Sequence, residues 1–315
     1  MAIINTVPEV VIWGGPAIIR KWLDDNPNKP FIARNYEFGG DKIISFDGIV
    51  FDRIVDLKFT QFKHKVSFRN CVFKKSFSLA GGINAEKKPA VNTSYFDGAE
   101  FHSNAEFGNR RFIHTTSFRN CVFSVAPSFH NSTLHQDTDF GGARFRDIES
   151  DGADRAYRTL KVAMNEVHAH HEELMFFGLE MQSRRVKARR EKKWSYWLYW
   201  VYEGLSDYGQ SIAKPVIALL AVFSASLPVY MLFHVGLGRF DFGNPKLDAD
   251  AFKAYSYALG NSLPLLPGSS YKPALIAHVE STVIEQTFIA AHVTVSLALI
   301  FLAGLGLRNL FRLKN

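Results

Sequence analysis

The chain has 315 residues, 47% hydrophobic and 21% charged, with a formal net charge of +7. That length leaves room for two domains, and that hydrophobic share excludes wholesale disorder. The positive balance favours acidic partners, anionic lipid or nucleic acid, while Cys71 and Cys121 alone supply neither a disulfide framework nor a zinc spacing.

The mean hydropathy of -0.05 averages two unlike halves, a polar one with spaced aromatics and a later one with two apolar runs. The opening Met1-Ala2-Ile3-Ile4-Asn5 sets no basic stretch before an apolar core, so no secretory signal is expected. Pro16 to Asp25 reads as a helix, since Pro suits a first turn. Its face of Ile18, Ile19, Trp22 and Leu23 suits an N-terminal cap over residues 1–43, with a membrane-touching helix as the rival.

From residue 44 to 147 a large apolar side chain recurs at steps of five and six. One run is Phe46, Phe51, Leu57, Phe62, Phe68, Phe73 and Leu79. The other is Phe96, Phe101, Phe107, Phe112, Phe118, Phe123, Phe129, Leu134, Phe140 and Phe145. A fixed period is the mark of a solenoid, which presents a long surface rather than a deep pocket. An eleven-residue period also suits a helical supercoil, but the Asn, Gly, Thr and Ser between the marks are poor helix formers. Phe-Arg-Asn at 68–70 and 118–120 and Phe-Gly-Asn at 107–109 read as corners. Small or medium residues stand two places before many marks: Ile49, Val66, Cys71, Ala99, Ala105, Cys121 and Ala143. Ser67 to Phe73 recurs letter for letter as Ser117 to Phe123, which makes each Cys a filler of a small inward slot. Gly81-Gly82 and Lys87-Lys88-Pro89 mark a loop leaving one corner.

Ala99-Glu100-Phe101-His102-Ser103, Ala105-Glu106-Phe107-Gly108-Asn109 and Cys121-Val122-Phe123-Ser124-Val125 resemble units of the pentapeptide-repeat family. That family is built on a small residue, a polar one, Leu or Phe, and two polar ones. The resemblance implies a right-handed quadrilateral β-helix over 44–147. The departure is the alternating step, which implies an extra residue at alternate corners.

From Asp154 the apolar spacing becomes three and four: Tyr157, Leu160, Met164, Val167, His171, Leu174 and Met181. Residues 148–210 therefore read as a helical connector, capped by Asp151 or Asp154. It is one long helix or a hairpin turning near His168 to His171, either self-associating or packed on the end of the β-helix. His168, His170, His171, Glu172 and Glu173 read as a solvated polar face rather than a metal site. Then come Arg184, Arg185, Lys187, Arg189, Arg190, Lys192 and Lys193, followed by Trp194, Trp197 and Trp200. Cations followed by aromatics suit a lipid headgroup layer.

The last part, 211–315, is expected to hold two transmembrane helices. Pro215 to Phe233 and Thr287 to Leu307 carry no charged residue, and about 20 apolar residues cross the hydrocarbon layer. Arg308 and Arg312 follow the second run, and cations between the runs are sparse. Both termini are thus expected on the cytoplasmic side of a bacterial-type membrane. A short helix is expected between the spans, capped by Asp248 or Asp250 and stopping at Gly260-Asn261. His292 lies inside the second span, with Glu285 on its face two turns earlier. Polar groups at such depth face a cavity or a partner, so His292, Glu285 and Asn261 are the candidates for a pore or a helix interface.

No nucleophile elbow, phosphate loop, zincin motif or dinucleotide fingerprint occurs. No enzyme activity, cofactor or metal is expected. The leading expectation is a homo-oligomeric ion channel or pore-forming effector gated by the β-helix. The second is a scaffold that the helices merely tether while the β-helix binds a cytoplasmic protein. DNA mimicry ranks last, because it needs an acidic rod and this repeat is rich in Lys and Arg; no nucleic-acid partner is expected.

Overall fold

A circuit of two five-residue and two six-residue steps takes 22 residues, and the strands pair at that offset. Ile44 lies beside Val66, Val50 beside Val72, Ser94 beside Thr116 and Glu100 beside Val122. The computed structural model describes residues 5–8, 11–12, 14–38, 43–82, 89–235, 245–265 and 283–312. Two-residue strands, from Phe31–Ile32 to Arg144–Phe145, stack in parallel into four sheets of four or five strands, one per side. The first half of the chain is therefore a β-solenoid, as its period predicts. Pairing starts before residue 44: Phe31 lies beside Val55 and Glu37 beside Gln61, at a longer offset that hides this coil from the periodic pattern. Between Val66 and Ser94 the offset is six residues longer, which matches the expected loop; residues 83–88, with Lys87 and Lys88, lie outside the described residues.

The corners alternate. On the five-residue sides the Phe46, Phe68, Phe96, Phe118 and Phe140 carbonyls each accept the amide three residues on, closing a tight turn. The third turn residues Gly48, Asn70, Gly98, Asn120 and Gly142 have φ of 66°, 54°, 69°, 55° and 71°. Gly and Asn tolerate that left-handed conformation best, which is why Phe-Arg-Asn recurs. Most six-residue sides turn through looser bends; that from Leu134 to Phe140 has its own tight turn, Thr138 N donating to His135 O at 3.0 Å.

Phe46, Phe68, Phe96, Phe118 and Phe140 stack in one column, with ring centroids 4.6 to 5.0 Å apart. Phe51, Phe73, Phe101, Phe123 and Phe145 form a second, at 4.9 to 5.2 Å. Leu57, Leu79, Phe107 and Phe129 line the third side, with the two Phe rings 4.7 Å apart. Val91 pairs with both Phe62 and Phe112, filling the fourth column where the spacing skipped a mark. Offset stacks of this kind add roughly 0.5–1.5 kcal/mol each beyond burial.

The small slots face inward as expected. Cys71 Sγ donates to the Phe46 carbonyl at 3.0 Å and Cys121 Sγ to that of Phe96 at 2.9 Å. Burial pushes the Cys71 thiol up to about 12 and raises that of Cys121 as well. One such slot holds Arg110, which is fully buried. Its Nε donates to Leu79 O at 2.5 Å, Nη1 to Thr60 O and Nη2 to Leu57 O at 3.3 Å. Desolvation lowers its guanidinium to about 10, still well above neutral pH. The side chain thus crosses two coils beside the loop that leaves the stack.

Helices close both ends. Helix α1 (Gly15–Asp25) buries Ile19 and Leu23 and sets Trp22 edge-on to Phe31 at 5.8 Å. Ile18 does not join that face; it is exposed. Helices α2 (Ala153–Glu166) and α3 (His170–Arg190) form a hairpin, not one long helix. Neither Asp caps α2: Gly152 holds the N-cap position, and Asp154 pairs with Lys187 at 3.9 Å. Tyr157 and Phe176 close over Phe145 at 5.9 and 5.2 Å, continuing the aromatic column into the hairpin. Between α2 and α3 the buried Glu180 carboxylate meets Arg158, Lys161 and Arg184 at 3.1, 2.7 and 2.6 Å.

The chain divides at Tyr196, and the second unit runs Trp197–Asn315. Across and beyond that boundary come α4 (Ser195–Ser206), α5 (Ala213–Val235), α6 (Pro245–Ser262) and α7 (Val283–Arg312). Helices α5 and α7 have mean hydropathies of 2.3 and 2.2 with only 11% and 22% of those residues buried. They are long enough to cross a bilayer and pack antiparallel, with Tyr230 beside His292 and Ile212 beside Gly306. Helix α6 corrects the expected short helix: it has 18 residues, starts at Pro245 and runs through Gly260-Asn261. Pro245 suits its first turn, Asp248 and Asp250 lie inside it, and bonds to Asn261 and Ser262 hold its last turn helical. The rest of the expected intervening segment, 236–244 and 266–282, lies outside the described residues.

Candidate functional site

The two apolar helices α5 and α7 and the more polar α6 meet at one point. Tyr230 of α5, Asn261 and Ser262 of α6, and His292 of α7 are all buried. Asn261 Nδ2 donates to Tyr230 Oη at 2.8 Å. Tyr230 Oη and His292 Nδ1 lie 3.0 Å apart, and Ser262 Oγ and His292 Nε2 also 3.0 Å. A neutral imidazole has one donor and one acceptor. With the Asn261 amide accepted, the Tyr230 hydroxyl can donate to Nδ1, leaving Nε2–H to donate to Ser262. Each ring nitrogen then has a partner and the cluster closes on itself. Phe288 and Tyr257 wall it, at 5.3 and 6.2 Å from the Tyr230 ring.

Two of the three polar residues expected from the sequence, His292 and Asn261, therefore meet. Glu285 lies half-buried near the start of α7, outside the four-residue cluster. Tyr230 and Ser262 were not anticipated. A tyrosine within an otherwise apolar run was the available signal for the first, and adjacency to Asn261 for the second. Beside the cluster a mainly apolar groove of about 270 Å³ lies between α5 and α7, lined by Val222, Ala225, Ser226, Phe288, Ala291, His292 and Val295.

The basic run is less free than its sequence suggests. Arg184 binds Glu180, Arg190 binds Glu149 and lies 3.9 Å from Asp151, and Lys193 pairs with Glu191 at 2.6 Å. Lys187 is engaged with Asp154. Arg185 is half-buried, whereas Arg189 and Lys192 are exposed. Trp194, Trp197 and Trp200 are 74%, 63% and 52% exposed. Arg308 reaches Asn309 Oδ1 at 3.5 Å, and Arg312 ends α7. His170 pairs with Glu173 at 3.3 Å on α3.

No family model, curated protein or solved structure matches this chain, so its own residues and geometry carry the functional reading.

Proposed function

We propose that this protein is a membrane-tethered scaffold of pentapeptide-repeat type. The solenoid binds a protein partner on the cytoplasmic side of a bacterial-type membrane, and α5 and α7 anchor it. The carrying observation is the closed cluster of Tyr230, Asn261, Ser262 and His292. In hydrocarbon an unpartnered polar group costs several kcal/mol. Here two of the three residues the sequence offers for a pore, His292 and Asn261, spend hydrogen bonds on Tyr230 and Ser262 within one chain. That is the chemistry of helix-to-helix glue. No catalytic step belongs to this reading. Among the described residues the solenoid's exposed large apolar side chains are Ile43, Val50, Ile54 and Phe59, all in its early coils. That concentration favours the N-terminal end as the partner-binding surface.

A homo-oligomeric channel is the second reading. It is favoured by the groove that reaches His292 and by α6 packing against both spans. Planar bilayers containing the purified full chain separate the two. The scaffold reading expects no conductance across lipids and voltages, and activity kept when residues 211–315 are exchanged for an unrelated anchor. Conductance that changes in His292→Ala would overturn it in favour of the channel.

A further inference from the structure

We propose that α4 lies in the plane of the membrane, with Trp197, Leu198, Trp200 and Val201 seated at the boundary between lipid headgroups and acyl chains. The proposal rests on the reading that α5 and α7 cross the same bilayer.

The first observation is that the amphipathicity of α4 is inverted. Trp197, Leu198, Trp200 and Val201 are 63%, 55%, 52% and 43% exposed, and helical spacing puts them on one side. The opposite side carries the polar anchors. Ser206 is buried with its hydroxyl donating to Tyr202 O at 2.8 Å, and the Tyr202 ring stands edge-on to Tyr208 at 5.5 Å. A helix that turns tryptophans outward and hydroxyls inward matches an apolar surrounding with a polar edge. Indole suits that boundary because it has a large apolar body and one N–H donor.

The second observation fixes the level of α4. Asp207, Tyr208 and Gly209 have φ of 52°, 54° and 80°, three consecutive left-handed residues that turn the chain sharply between α4 and α5. Tyr208 holds that conformation while fully buried. The turn is bolted to the far end of α7: Asn309 Nδ2 donates to Gly209 O at 2.9 Å. Gly306 lets the backbones approach, since a Cβ there would sit 3.0 Å from Ser211 O. Helix α4 is thereby held where α5 begins and α7 ends, the rim of the two spans.

The third observation is charge. Lys214, Arg308 and Arg312 sit at the same rim, and Lys214 lies 3.7 Å from its local acid Asp207. Cations at that depth complement lipid phosphates. An in-plane helix with an apolar face and cations at the headgroup level is the physics of an interfacial anchor.

Spin labels on single introduced cysteines test the placement in the full chain reconstituted in phospholipid nanodiscs. The native Cys71 and Cys121 are buried, so labelling reports only the new site. Leu198→Cys and Val201→Cys probe the exposed face, Leu220→Cys on α5 marks hydrocarbon, and His64→Cys on the solenoid marks water. Labels at 198 and 201 should meet dissolved oxygen several-fold more often than a water-soluble nickel complex, as at 220. Nickel access equal to that at 64 would overturn the proposal. So would protection from both reagents, which would mean a protein partner or a second copy on this face. Nickel access at 220 would bring down the membrane reading, and this proposal with it.

Discussion

Replacing Tyr230 by Phe tests whether the buried polar cluster is glue. The ring keeps its place beside Phe288, 5.3 Å away, and only the hydroxyl is lost. That hydroxyl makes two interhelical bonds, to Asn261 at 2.8 Å and His292 at 3.0 Å. Interhelical hydrogen bonds in membranes average about 0.6 kcal/mol and reach about 1.7. The substitution should therefore cost about 1.2 kcal/mol, with roughly 3.4 as the ceiling. The lower figure is about a sevenfold shift in the unfolding equilibrium. Reversible unfolding of the full chain in mixed detergent micelles measures it. A double-mutant cycle with His292→Ala isolates the Tyr230–His292 contact, for which a coupling of about 0.6 kcal/mol is expected. A coupling indistinguishable from zero would refute the direct bond, and a stabilised Tyr230→Phe would refute the glue.

In the solenoid, Arg110→Ala leaves the Leu57, Thr60 and Leu79 carbonyls without that donor. Relief of the buried charge offsets part of the loss, so a net destabilisation of roughly 3 kcal/mol is expected; an unchanged thermal melt by far-ultraviolet dichroism would contradict it. Thr138 Oγ1 is buried with no hydrogen-bond partner, so Thr138→Val should raise stability by roughly 1 kcal/mol in the same melt. Burial pushes the Cys71 thiol up and keeps it protonated at pH 8. Both cysteines should resist a thiol reagent in the folded chain at pH 8 and react in denaturant, and prompt reaction of either in the folded chain would contradict their burial.

The ladder of Phe68, Phe118 and Phe140 was legible because stacking forces each coil to repeat the one below, so geometry is written as a period. Arg110 was not, because a guanidinium in a slot held elsewhere by Ile, Val, Cys or Ala breaks the pattern. Its acceptors lie 31 to 53 residues back. Phe77 likewise fills a small slot between Val55 and Ala105 with a ring. In the second half of the chain, His292 and Asn261 stood out as polar residues near apolar runs, but their meeting through Tyr230 is tertiary. Helix α6 outran its expected end because Gly260 is a weak local stop and two tertiary bonds outweigh it. Part of the basic run is engaged by acids within the chain. Glu180 stands one helical turn before Arg184 on α3, whereas Glu149 becomes a neighbour of Arg190 only when the hairpin folds on the solenoid's end.

Extraction of membranes at alkaline pH, after surfactant-free lysis of cells producing the full chain, tests most directly whether α5 and α7 anchor the solenoid in lipid. The chain should stay in the membrane pellet and leave it only with detergent. Recovery of folded protein in the supernatant, with no detergent present, would contradict the anchoring of this solenoid in a bilayer.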